Sequence, residues 1–214
     1  MNPMNEEIRV LTEGGTAETE LKKSRFIAYT EPVTTEEEAR SFIESIKKKH
    51  FDAKHNCYAY TVGLDPEKVK YSDDGEPSQT AGLPIFTVLK ESRIKNCCIV
   101  VTRYFGGTLL GTGPLSKMYR DTAKEGLLNS KTGVMKLGAE FRIDCDYGDG
   151  EKVRRFLEKS KGKLLNTIYT EKVSFLFRVP TECVKSFTEG ITSLTLGKVV
   201  PEKISEGLFL DTDS

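Results

Sequence analysis

The sequence predicts an α+β protein in two units, and three observations carry that expectation. The stretch Cys97–Tyr104 is a short run of apolar and β-branched residues bounded by turn signals, which reads as a strand buried on both faces. Directly after it come Gly106, Gly107, Gly111 and Gly113 and then Pro114, a residue that suits the first position of a helix because its missing N–H costs nothing there. Beyond residue 135 the periodicities run strand, helix, strand, strand, helix, strand, which is the split βαβ or ferredoxin-like plan. The boundary falls near 130–135, giving units 1–132 and 133–214, without a low-complexity linker or an internal repeat.

Taken in order, 8–11 and 16–21 are short strand candidates around Gly14 and Gly15, and the second pairs with 24–33 through a turn at Lys22-Lys23. Thr35 and Glu38 have capping-box spacing, and Glu36 and Glu37 add charge favourable to a helix N-terminus. Ala39, Phe42, Ile43, Ile46 and His50 then recur at helical spacing, and Lys47, Lys48 and Lys49 suit the C-terminal end of the dipole. The strand 55–64 places Asn56, Tyr58, Tyr60 and Val62 on one face and His55, Cys57, Ala59 and Thr61 on the other. A turn at Asp65-Pro66 leads to a short partner strand, 68–72. The acidic loop 73–77 follows, and 78–81 lead into an apolar helix through Ile85, Val88 and Leu89, with Pro84 in its first turn. After the glycine-rich stretch, Leu115, Met118, Tyr119, Thr122, Ala123 and Leu127 outline a further helix. In the second unit the strands are 135–147, 164–169, 172–179 and 198–204, and the helices are marked by Val153, Phe156 and Leu157 and by Cys183, Phe187 and Ile191.

Lys plus Arg equals Asp plus Glu, 32 of each, so no global field draws the chain to nucleic acid or membrane, and any such binding rests on a local patch. No apolar run approaches the roughly 18 residues of a membrane span. The polar, acidic start is unlike a signal peptide, and five irregularly spaced cysteines fit no disulfide framework. A cytoplasmic location follows as the default.

His55 beside Cys57 invites a metal reading, but there are two histidines, no C-x-x-C pair and no tetrahedral ligand spacing. Neither a metal nor a cofactor is expected. Cys97 and Cys98 point to opposite faces of a buried strand and are core residues rather than nucleophiles. Asp73, Asp74 and Glu76 could hold a hard cation, although Asp74-Gly75 is also an ordinary turn pair. The chain has no G-x-S-x-G, H-E-x-x-H or Walker motif. The functional candidates are therefore Arg103 and Tyr104 at the strand end, with Gly106, Gly107, Thr108, Gly111, Thr112 and Gly113. Arginine forks onto phosphate, tyrosine stacks on bases, and a loop before a helix N-terminus offers N–H donors to an anion. His55, Asp73, Asp74 and Glu76 are their polar partners, and Arg103 stands equally as an ion-pair partner of the acidic loop.

Three motifs in this order, HNCYAYTVG, DDGEPSQTAGLP and VVTRYFGGTLLGTG, resemble the signature of the IMPACT family in its bacterial, YigZ-type branch. The resemblance covers roughly 24–128 strongly and the terminal unit by pattern. One departure is Pro114, where the family usually carries another glycine, which removes one N–H. The resemblance implies a first domain with a left-handed βαβ element, related to a small-subunit ribosomal protein domain and to domain IV of elongation factor G. It implies a terminal domain like domain V of the same factor. Eukaryotic relatives act in translational control by competing for an activator of a starvation kinase, a pathway that bacteria lack. The expectation is a cytoplasmic, non-catalytic, translation-linked protein that binds RNA or the ribosome and no membrane. A protein-binding regulator and an enzyme on a small phosphorylated substrate stand as the alternatives.

Overall fold

A five-stranded antiparallel sheet organises the first half of the chain. In the computed structural model, which describes residues 8–64 and 67–211, the elements up to residue 128 are β1 (Ile8–Glu13), β2 (Thr16–Leu21), β3 (Ser24–Pro32), α1 (Glu36–Lys49), β4 (His55–Val62), β5 (Lys68–Ser72), α2 (Gly82–Ser92), β6 (Ile94–Lys95), β7 (Cys97–Tyr104) and α3 (Thr112–Leu128). The chain divides into two units, Met1–Val134 and Met135–Asp211. The turn expected at Asp65-Pro66 lies outside the described residues.

The sheet order is β2-β3-β7-β4-β5, with every neighbour antiparallel. Strand β7 lies at its centre, so each residue from Cys97 to Arg103 is buried. The period-two alternation assigns its side chains to two cores. Cys97, Ile99 and Val101 pack with Ile85, Val88 and Leu89 of α2 and with Leu115, Tyr119 and Ala123 of α3. Cys98 and Val100 pack on the opposite face with Ala39, Ile43 and Ile46 of α1. All five cysteines are free thiols.

Local chemistry fixes the element ends. The α1 capping box forms in both directions, Glu38 N–H donating to Thr35 Oγ1 at 3.1 Å and Thr35 N–H to Glu38 Oε2 at 3.3 Å. Lys22 and Lys23, at φ +47° and +63°, make the two-residue β2–β3 turn, whose paired left-handed backbones match the sheet's twist. Two features of this unit depart from the sequence reading. Strand β6 pairs in parallel with β1, and its two residues are too few to show any periodicity. Helix α3 starts at Thr112, not at Pro114; Gly111, at φ +83°, turns the chain into the helix and Pro114 becomes its third residue, still within the first turn where a missing N–H is harmless.

The second unit consists of β8 (Lys131–Cys145), whose start belongs to the first unit, then α4 (Tyr147–Lys159), β9 (Lys163–Tyr169), β10 (Val173–Pro180), α5 (Val184–Leu194) and β11 (Glu202–Asp211). Strand β10 is antiparallel to both β8 and β9, and β11 pairs with β8, which is the ferredoxin-like arrangement. Phe141, Ile143, Phe175 and Phe177 meet Val153 and Leu157 of α4 and Phe187 and Ile191 of α5 in one core. The closing strand starts at 202 rather than 198, because Thr195 Oγ1 takes the Val199 N–H at 3.2 Å and Pro201 has no N–H for a ladder. Among the described residues no helix is long and apolar enough to cross a membrane.

Candidate functional site

At the C-terminal end of β7 the register sets Arg103 opposite Phe26 of β3 and His55 of β4, and Tyr104 opposite Arg25 of β3. Neighbouring residues of a strand point to opposite faces, so Arg103 and Tyr104 anchor two separate networks.

Arg103 turns toward α2 and α3 and is buried. Its Nη1 donates to Glu76 Oε1 at 2.6 Å, and the hydroxyl of Tyr119 donates to the same oxygen at 2.8 Å. The rings of Phe26 and Phe105 flank the guanidinium, with centroids 5.4 and 5.6 Å from Cζ, while buried Nε has no hydrogen-bond partner among the described residues. The other carboxylates of the acidic loop accept backbone N–H groups, and Asp74 Oδ1 also meets Lys47 Nζ at 3.5 Å. Asp73 accepts the N–H groups of Gln79, Ala81 and Gly82 at 2.8–3.0 Å and so supplies acceptors to the N-terminus of α2. Asp74 accepts from Asn56 N–H at 2.8 Å, and its carbonyl accepts from His55 Nδ1 at 2.9 Å. The Cys57 thiol donates to the Asp73 carbonyl at 2.9 Å. Burial pushes the Cys57 thiol and the Tyr119 hydroxyl far above their ordinary values, so both stay protonated. A protonated buried thiol is no nucleophile. Among the described residues no three His, Cys, Asp or Glu side chains come together as a metal site.

Tyr104 turns toward α1 and enters a directed chain of hydrogen bonds. Its hydroxyl donates to Asp52 Oδ1 at 3.0 Å and lies 2.8 Å from His50 Nδ1, while His50 Nε2 lies 2.8 Å from the Tyr29 hydroxyl. Since the Tyr104 proton is committed to Asp52, His50 Nδ1 is the donor, and neutral Nε2 accepts from Tyr29. Burial first, then the charges of Lys49 and Arg25, hold the His50 pKa below its ordinary value and favour that neutral form. Arg25 Cζ stands 4.8 Å from the Tyr104 ring centroid, and Lys49 Nζ stands 4.4 Å from that of Tyr29.

Between these networks and α3 runs the glycine loop. A Cβ on Gly106 would lie 2.1 Å from the carbonyl carbon of Lys23, so only glycine lets the loop rest on the Lys22-Lys23 turn; its N–H donates to Ser24 Oγ at 3.1 Å. Gly107 and Gly111 hold left-handed backbones, φ +86° and +83°. Leu110 is buried and pins the loop, leaving Gly107, Thr108, Leu109, Gly111, Thr112 and Gly113 exposed. Helix α3 has no side-chain cap, and Leu115 N–H is the first amide bonded back, to Gly111.

The structure thus gathers His55, Asp73, Asp74, Glu76 and Arg103 into one part-buried network, with the Arg103–Glu76 pair at its buried end, and places Tyr104 and the loop beside it at the surface. Sequence reasoning passed over Tyr119, His50, Tyr29, Asp52 and Ser24. The only sequence signal for the first two was a polar side chain at a core-periodic helix position, which needs a buried partner.

The model of the Impact N-terminal domain matches residues 22–127, and that of a domain of unknown function, DUF1949, matches 143–198. The IMPACT family member YvyE of Bacillus subtilis is 42% identical over 186 residues, covering 87% of this chain and 86% of its own. The family member YigZ of Escherichia coli is 34% identical over 182 residues, covering 84% and 89%. A solved crystal structure, titled that of a hypothetical protein, superposes with a TM-score of 0.61 at 32% identity, over 94% of this chain and 98% of the other. Motifs, fold and these matches agree: the chain belongs to the IMPACT family.

Proposed function

We propose that this is a non-catalytic, cytoplasmic, translation-linked binding protein that contacts RNA, free or within the ribosome, at the C-terminal end of β7. The observation that carries the reading is the seating of the glycine loop on the Lys22-Lys23 turn. Exposed backbone of 107–109 and 111–113, the paired lysines, and Arg25 over the Tyr104 ring share one end of the sheet. Phosphate oxygens fit the N–H donors and lysines, and bases fit the tyrosine face. Arg103 serves here as a positioning residue, since its side chain is buried against Glu76. The link to translation rests on the family resemblance, whose eukaryotic members act in translational control.

A non-catalytic role is supported by the acidic loop. Asp73 and Asp74 hold backbone amides and Glu76 holds Arg103, so these carboxylates already have work other than binding a cation or moving a proton.

Ultraviolet crosslinking in cells, followed by sequencing of bound RNA and mass spectrometry of crosslinked peptides, tests the proposal. The expected peptides carry Tyr104, Phe105 or the 106–113 loop. Recovery of protein partners without RNA would favour the regulator alternative instead.

A further inference from the structure

A second surface of the first unit shares no lining residue with the loop. Between α2, α3, β1 and β6 lies a groove of about 760 Å³, a size within the range of small-molecule sites. Its apolar floor is Val88, Ile94 and Leu127, all buried, and Leu128 stands beside them 65% exposed. Its rim is basic. Lys117, Arg120 and Lys124 follow one another along α3 at helical spacing, and Arg9 enters from β1.

The acidic rim residues are already used. Glu91 takes both its contacts from Arg120 Nη2, at 2.7 and 2.8 Å, and Asp121 pairs with Lys117 at 2.5 Å. Arg9 and Lys124 have no carboxylate partner among the described residues. A bare inorganic anion would leave the floor wet, and a neutral hydrocarbon would leave two cations unanswered. No aromatic ring lines the groove on which a nucleobase could stack.

We propose that this groove binds a small organic anion with an apolar body, its head between Arg9 and Lys124 and its body on Val88, Ile94 and Leu127. The proposal does not depend on RNA binding at the loop.

The test titrates the full chain with decanoate, decyl phosphate, decanol and inorganic phosphate, below the aggregation concentration of each, by calorimetry and amide NMR. The expected result is one-to-one binding of the two amphiphilic anions, with shifts concentrated at Arg9, Ser92–Ile94 and 117–128. Decanol and inorganic phosphate should bind at least tenfold more weakly. Whichever anion binds tighter supports the site and identifies its head group. The double variant Arg9→Gln, Lys124→Gln changes two exposed side chains, so it should keep the parent melting temperature and lose at least tenfold in affinity for both anions. Absence of saturable binding, more than one ligand per chain, or unchanged affinity in the folded double variant would overturn the proposal.

Discussion

Arg103 and Glu76 form a salt bridge of 2.6 Å with only 7% and 4% of their side chains exposed. A buried pair adds little over an apolar pair of the same shape, but loss of one partner strands a charge and costs about 3–5 kcal/mol. Glu76→Ala should therefore lower unfolding stability by about 3 kcal/mol or more, as read by urea denaturation. It should also remove the acceptor of the Tyr119 hydroxyl proton, leaving that hydroxyl only the Cys57 thiol, 3.4 Å away. A loss below about 1 kcal/mol, within the range of surface pairs, would mean that the loop is not held by this bridge.

The glycines of the loop divide by cause. Gly106→Ala forces a methyl into the Lys23 backbone 2.1 Å away and should cost at least about 1–3 kcal/mol. Gly113→Ala meets open space with an ordinary φ inside α3, and should stabilise by about 0.5 kcal/mol. Thermal melts of the two variants check the contrast; equal effects would contradict the close approach at Gly106.

His50 should give stability a pH dependence. Its folded pKa lies below the ordinary 6.5, so the unfolded chain binds the extra proton first. The His50 contribution is complete above about pH 6.5 and is lost as pH falls toward the lower folded value. His50→Gln should flatten the stability profile across that window while leaving higher pH less affected. A parent whose stability rises as pH falls from 6.5 to 5.5, with that rise absent in His50→Gln, would contradict the neutral ring favoured by burial and by Lys49 and Arg25.

Each unit has its own core, with no residue common to the clusters. We expect 1–134 and 135–214 to fold when expressed separately. Amide-exchange protection of each fragment, compared with the whole chain, checks this; global loss of protection in both would contradict it.

Much of this architecture was legible before any coordinates. Alternation along Cys97–Tyr104 put Cys97 and Cys98 on opposite faces of a buried strand, because period two is a local property of a strand; which helices cover each face is seen only in the fold. The Thr35–Glu38 capping box was legible for the same reason. The site was less so. Arg103 stood as an ion-pair partner of the acidic loop, but not which of its carboxylates it takes; that His50 joins Tyr29 to Tyr104 depends on residues 21 and 54 positions apart, and no periodicity records such pairings. The Lys22-Lys23 turn was visible, but not that Gly106 packs on it across the sheet. Local signals mark elements, whereas the site is made where their ends meet.

The central claim is that the loop and the lysine turn form one RNA-contacting surface. The most direct test compares single-stranded RNA affinity against salt for the parent and for Lys22→Gln, Lys23→Gln, both exposed and in a turn that leaves their side chains free to reach solvent. Each phosphate contact adds about −0.7 to the log–log slope for single strands. The parent should bind saturably, and the folded double variant should bind more weakly with a slope shallower by about 0.7–1.4. No measurable binding by the parent, or the same affinity and slope in both proteins, would contradict it.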